Sequence, residues 1–288
     1  MRSKRAVGAA PVALHYRRYG NAQELLILIP GLAADHSCWR LMIPRLAAEY
    51  TVVAVDNRGA GRTSDAGRFF SIEDMADDIV ALAGTLGVHR FLLAGHSMGG
   101  AIAQSVAYRY PERVEALALC NTFVRFDAEA GRFADQIIDL YRSGANRGEI
   151  VAAMLPRVFS ASFLTPQLLT LMRSSHSNGA PPQSEHDYRR QVAALRNFDS
   201  SPWIGSLCVP GVVIDSTQDL LARRKDADRL AQLIRGAARV TLAGGHSSPL
   251  EQPAALSQVL LSFFRARSET SRAVLGLRES DQIEAQLA

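Results

Sequence analysis

At 288 residues, with 48% hydrophobic and 21% charged positions, the chain can bury a sizeable core, and its composition argues against disorder. Its charge of +4 comes from 32 basic and 28 acidic residues. The excess is almost all arginine, with Lys4 and Lys225 the only lysines, and it is scattered, which argues against the clustered basic stripe of a nucleic-acid surface. Cys38, Cys120 and Cys208 are odd in number, far apart and without a Cys-x-x-Cys pair, so neither a disulfide framework nor a zinc site is expected.

The start, Met1 to Leu14, has a charged beginning and an apolar stretch, but Gly8 and Pro11 interrupt it and it merges into the first strand, so it makes a poor secretory leader. No run approaches the roughly 18 apolar residues of a membrane span. A soluble, cytoplasmic protein is the expectation.

Short apolar runs then alternate with helical patterns, the rhythm of a mostly parallel sheet covered by helices on both faces, an α/β fold. Leu25 to Ile29, Thr51 to Val55, Phe91 to Ala94 and Val114 to Leu119 read as strands buried on both sides. A helix carrying Trp39, Ile43 and Leu46 follows the first of these. Ser71 and Asp74 form a capping box ahead of Ile72, Met75, Ile79, Ala83 and Leu86, and Gly87 stops that helix.

After Asn121 the strand rhythm ceases for about eighty residues. Amphipathic helical stretches broken at Gly144, Pro156, Pro166 and Gly179 to Pro182 suggest an inserted helical cap. Strands return at Gly211 to Ile214 and Arg239 to Leu242, with a helix carrying Leu230 and Leu233 between them. A last helix begins at Pro253. The expected organisation is a core over residues 1–124 and 201–266, a helical cap over 125–200 and a polar tail over 267–288.

The chemistry is carried by Gly95-His96-Ser97-Met98-Gly99, between a strand and a helix bearing Ile102, Val106 and Tyr110. A Gly-x-Ser-x-Gly sequence in that context is a nucleophile elbow, in which the glycines permit a turn too tight for side chains and Ser97 is lifted over the sheet edge. A serine hydroxyl needs a base, and the chain order Ser, acid, His picks His246, in the Gly244-Gly245-His246 loop past a late strand. Two carboxylates, Asp215 and Asp219, compete as the acid. Asp219 is preferred because a loop several residues beyond its strand can reach under the imidazole. The oxyanion donors are then the main-chain N–H groups of Met98, opening the helix, and Leu32, in the loop after the first buried strand.

These residues resemble the α/β-hydrolase fold family in its capped form, over roughly residues 12–265. The resemblance rests on the elbow, Pro30-Gly31-Leu32, the Asp56-Asn57-Arg58-Gly59-Ala60-Gly61-Arg62-Thr63-Ser64 loop, Asp219, and Gly245-His246 followed by Glu251-Gln252-Pro253. Pro30 departs from the His the family often has, as Thr63 does from its loop pattern. Within the family the chain is similar to enol-lactonases of aromatic degradation and aminoacrylate hydrolases of pyrimidine breakdown. The resemblance implies a serine hydrolase cleaving a small carboxylic ester or lactone, or an amide or C–C bond, without metal or organic cofactor. Ser97 in place of Asp argues against dehalogenase and epoxide-hydrolase members.

His36, Trp39 and Arg58 are candidate substrate-binding residues, Arg58 as a grip for a carboxylate, although a core role for Trp39 and a loop-bracing role for Arg58 compete. The expected partner is a small-molecule substrate, with no nucleic acid and no membrane, and a homodimer is left open. The rival reading is a small-molecule sensor or binding protein of the same fold with little turnover.

Overall fold

The computed structural model describes residues 10–65, 67–165, 183–266 and 283–284. The expected breaks at Pro166 and Gly179 to Pro182, the first nine residues, and the tail apart from Ile283–Glu284 lie outside them.

The described residues form eight strands, of which the central ones are continuous apolar runs because they are covered on both faces. The eight are β1 (Tyr16–Tyr19), β2 (Leu25–Ile29), β3 (Thr51–Val55), β4 (Phe91–His96), β5 (Val114–Cys120), β6 (Gly211–Ser216), β7 (Ala238–Leu242) and β8 (Ile283–Glu284). They form one sheet in the order β1-β3-β2-β4-β5-β6-β7-β8, parallel throughout except for the antiparallel β1–β3 pair. Strand side chains alternate in direction, so one apolar run feeds two cores. Leu25, Ile27, Ile29 and Leu93 pack with α2 (Ile72–Thr85) and α3 (Met98–Arg109) on one face. Leu26, Leu28, Leu92 and Ala94 pack on the other with α1 (Ile43–Leu46) and the last long helix, Pro253–Arg265.

The capping box at α2 is formed as expected: Ser71 Oγ accepts from the Asp74 N–H and Asp74 returns a bond to the Ser71 N–H. The expected helix around Trp39 is instead a short 3-10 turn, His36–Trp39, followed by the one-turn α1. Pro44 explains the break, since proline suits the first turn of a helix and not its interior.

Between β5 and β6 lie α4 (Ala128–Arg142), α5 (Arg147–Val158) and α6 (Glu185–Arg196). They share a small core of their own, in which Ala134, Ile137, Ile138 and Ile150 meet Tyr188 and Val192 of α6. The insertion is stitched to the sheet's C-terminal edge where Ser247 N–H donates to the Val158 carbonyl at 2.9 Å. After β6 come α7 (Arg224–Leu233), then the one-turn α8 (Ser248–Glu251) and α9 (Pro253–Arg265). Among the described residues no helix is long and apolar enough to cross a membrane.

Candidate active site

Ser97 sits between β4 and α3 with φ 54° and ψ −118°, a left-handed conformation that costs a serine roughly 1–3 kcal/mol. Its surroundings hold it there. Ser97 N–H donates to the Cys120 carbonyl at 2.9 Å, and the Thr122 hydroxyl donates to the Ser97 carbonyl at 2.7 Å. The two flanking glycines admit no side chain: a Cβ on Gly95 would lie 2.1 Å from the Gly99 carbonyl oxygen, and one on Gly99 would lie 2.1 Å from that of Ile29. Gly99→Ala is therefore expected to destabilise the fold by about 3 kcal/mol, read as a lowered urea midpoint, because the obstacle is backbone that cannot rotate away.

His246 is brought to the same cavity by the loop after β7, while Asp219 comes from the loop after β6. Both carboxylate oxygens of Asp219 lie within hydrogen-bond reach of His246 Nδ1, at 3.0 and 2.9 Å. A carboxylate only accepts, so Nδ1 carries the proton and donates it. Asp219 also accepts from the Leu221 and Ala222 N–H groups, at 2.8 and 2.9 Å, and from Asn121 Nδ2 at 2.9 Å. Burial alone would raise the Asp219 carboxyl, but the His246 contact and these donors outweigh it and hold the group below the ordinary carboxylate value. It stays ionised through mild acid.

Asp215, the competing carboxylate, is engaged elsewhere. It accepts from Arg239 at 3.0 Å and from the Thr241 hydroxyl at 2.8 Å.

Around the pair lies a layer of supports. Asn121, left-handed at φ 47°, donates to Ser216 Oγ as well as to Asp219 and accepts from the Ser248 hydroxyl at 2.6 Å. His96 Nε2–H donates to the His246 carbonyl at 2.8 Å; burial pushes the His96 imidazole down to about 3, so it stays neutral. The buried Glu251 accepts from Gly245 N–H at 2.9 Å and from both the N–H and hydroxyl of Ser160, tying the histidine loop to the end of the insertion.

Leu32 lies in a turn closed by Ala34 N–H to the Gly31 carbonyl, 3.3 Å, with Ala33 left-handed at φ 60°. The buried Gln191 of α6 braces this turn: its Oε1 accepts from Ala33 N–H at 3.2 Å while its Nε2 donates to the Arg58 carbonyl at 2.7 Å. Met98 is the first residue of α3, where a helix leaves its N–H without an intrahelical acceptor.

A cavity of about 280 Å³ opens beside Ser97 and His246, with Leu32 and His96 also in its wall. Phe126, Phe133, Met154 and Phe159 line it from the insertion. Three phenylalanines and a methionine thus give the cavity an apolar roof.

The three candidate substrate contacts need correction, because none of them lines this cavity. Arg58 is buried in an ion pair with Asp78, at 2.5 and 2.7 Å, and also donates to the Ala10 carbonyl. His36 Nδ1 is bound to Asp56 at 2.7 Å, and Trp39 is fully buried in the core beneath. Among the described residues His15, His36 and Asp56 form the one cluster of metal-ligand type. Both Asp56 oxygens there already accept, from the two imidazoles and from the His36 and Arg62 N–H groups, so the cluster reads as a hydrogen-bond hub.

Residues 24–253 match the model of the α/β hydrolase fold family. A Rhizobium rhizogenes protein named "Putative carbamate hydrolase RutD" is 32% identical over 85% of this chain and 94% of its own length. Among solved structures, the enol-lactonase of Burkholderia xenovorans LB400 is 29% identical with a TM-score of 0.78, covering 88% of this chain and 96% of that one. A thermophilic esterase from Thermogutta terrifontis is 27% identical with a TM-score of 0.76, covering 88% and 93%.

Proposed function

Because the chain belongs to the α/β hydrolase fold family, we propose that it is a serine hydrolase cleaving a small carboxylic ester or lactone through an acyl-enzyme. The observation that carries this reading is the bond to a buried, ionised Asp219 from Nδ1–H of His246, which lines the same cavity as the strained Ser97. That bond fixes the tautomer with a lone pair on Nε2, the form able to take the Ser97 proton. Relatives named as an enol-lactonase and an esterase support the choice of bond.

In the proposed cycle Ser97 Oγ attacks the carbonyl carbon as His246 accepts its proton, and Asp219 stabilises the resulting imidazolium. The oxyanion is held by the Leu32 and Met98 N–H groups. His246 then protonates the leaving oxygen, and water activated by the same imidazole hydrolyses the ester on Ser97. Leu32→Ala keeps the donor and is expected to be mild.

Bracing of the Leu32 turn by Gln191 gives the insertion a part in catalysis as well as in enclosure. Gln191→Leu is expected to lower kcat by about 10–100-fold with little change in KM, since it loosens a donor used mainly in the transition state. Steady-state kinetics on a short p-nitrophenyl ester would show this split.

The direct test is a fluorophosphonate probe followed by peptide mass analysis. A phosphonyl adduct on the Ser97 peptide is expected, and an adduct elsewhere, or none on folded protein, would refute the nucleophile.

A further inference from the structure

The cavity wall carries a statement about charge. Phe123, Phe126, Phe133, Met154, Leu155 and Phe159 give it an aromatic and aliphatic surface. Among the described residues no lysine or arginine lines it. Arg58, which the sequence offers as a carboxylate grip, is consumed by Asp78. Arg157 of α5 stands over the Phe133 ring at 5.7 Å, and its guanidinium pairs with Glu129 at 3.4 Å. His96 adds no positive charge, because its imidazole is neutral and its Nε2–H is spent on the His246 carbonyl. Tyr188, another lining residue, keeps its hydroxyl uncharged because burial raises its pKa.

An ionised group moved from water into such a space must be paired or it is strongly disfavoured. The donors that the mechanism supplies are aimed at one place, the oxyanion beside Ser97, and among the described residues lining the cavity no cationic side chain is left for a second anion. The volume, about 280 Å³, falls just below the range of ordinary ligand cavities, roughly 300–1,000 Å³.

We infer that the substrate is an uncharged ester or lactone with an apolar acyl part, and that esters bearing a free carboxylate on that part are rejected. The inference rests on the serine-hydrolase reading and narrows it.

Three p-nitrophenyl esters separate charge from size: the hexanoate, the monoester of adipate with its distal carboxylate free, and the same monoester with that carboxylate methylated. The hexanoate is expected to exceed the free adipate monoester in kcat/KM by about 100-fold or more, with methylation restoring most of the loss. Comparable rates for the free monoester and the hexanoate would overturn the inference and leave the serine-hydrolase reading intact. So would a methylated ester as slow as the free acid, since length and not charge would then discriminate. Inert neutral esters in a protein whose Ser97 still takes the fluorophosphonate label would also overturn it alone. Failure of all three esters together with no label on Ser97 would remove both readings.

Discussion

Ser97→Ala and His246→Ala are each expected to lower kcat on the order of 10⁶-fold, and the double variant no further. The reason is that the two side chains perform one event. Oγ becomes a competent nucleophile only as the imidazole takes its proton, so either loss removes the whole step and the second has nothing left to remove. What survives in each variant is the rate given by binding and the oxyanion donors, roughly 10³–10⁴ over water. The two substitutions should also be structurally mild. Ser97 is held by its backbone, through the Cys120 carbonyl and the Thr122 hydroxyl, and Ala at position 97 keeps both bonds. The His246 loop is likewise anchored by main-chain groups, with Gly245 N–H on Glu251 and Ser247 N–H on the Val158 carbonyl. Kinetics of the two single variants and the double, each shown folded by circular dichroism, decide the matter. Losses that multiply in the double variant would mean that the residues act independently.

How legible this site was in the sequence depends on how local each cause is. The elbow is written in adjacent residues: the glycines at 95 and 99 are required by carbonyl oxygens of Gly99 and Ile29, and the strand before and helix after are adjacent in the chain. The buried strands are legible for the same reason, since burial on both faces demands an uninterrupted apolar run such as Leu25–Ile29. Nothing local decides between substrate contact and bracing for Arg58, or excludes substrate contact for His36, because their partners, Asp78 and Asp56, each lie 20 residues away and meet them only in the folded chain. The supporting residues were missed for the same physical reason. Gln191 acts across 158 positions on Ala33, and Asn121 across 98 on Asp219. No periodicity or spacing announces such pairings. Asn121 did leave a faint trace, as a polar residue directly after an apolar strand at the edge where sites of this fold gather. The insertion's helices were legible as helices, but which of their aromatics face the cavity is set by how three helices pack on one another.

Asp219→Asn is expected to lower kcat about 10⁴-fold, whereas Asp215→Asn is expected to leave kcat nearly unchanged and to destabilise the protein by about 2 kcal/mol. The argument follows the donors around each carboxylate. At position 219 one oxygen accepts from the Leu221 and Ala222 N–H groups, so the single carbonyl oxygen of an asparagine would take that place. Its amide nitrogen would then occupy the other oxygen's position, facing His246 Nδ1 and the Asn121 amide donor. An N–H facing an N–H makes no bond, and the remaining oxygen, 3.0 Å from Nδ1, already accepts from the two backbone N–H groups, so the imidazole would turn over its tautomer, accepting from the new amide at Nδ1 and carrying its proton on Nε2. That form cannot take a proton from Ser97. At position 215 the carboxylate instead pairs with Arg239, whose side chain is only 13% exposed and keeps Asp228 as its remaining partner when that charge is lost, and the change does not touch His246. Turnover and urea denaturation measured on both variants separate the two roles. A large kcat loss in Asp215→Asn with Asp219→Asn near wild type would reassign the acid to the residue at the end of β6.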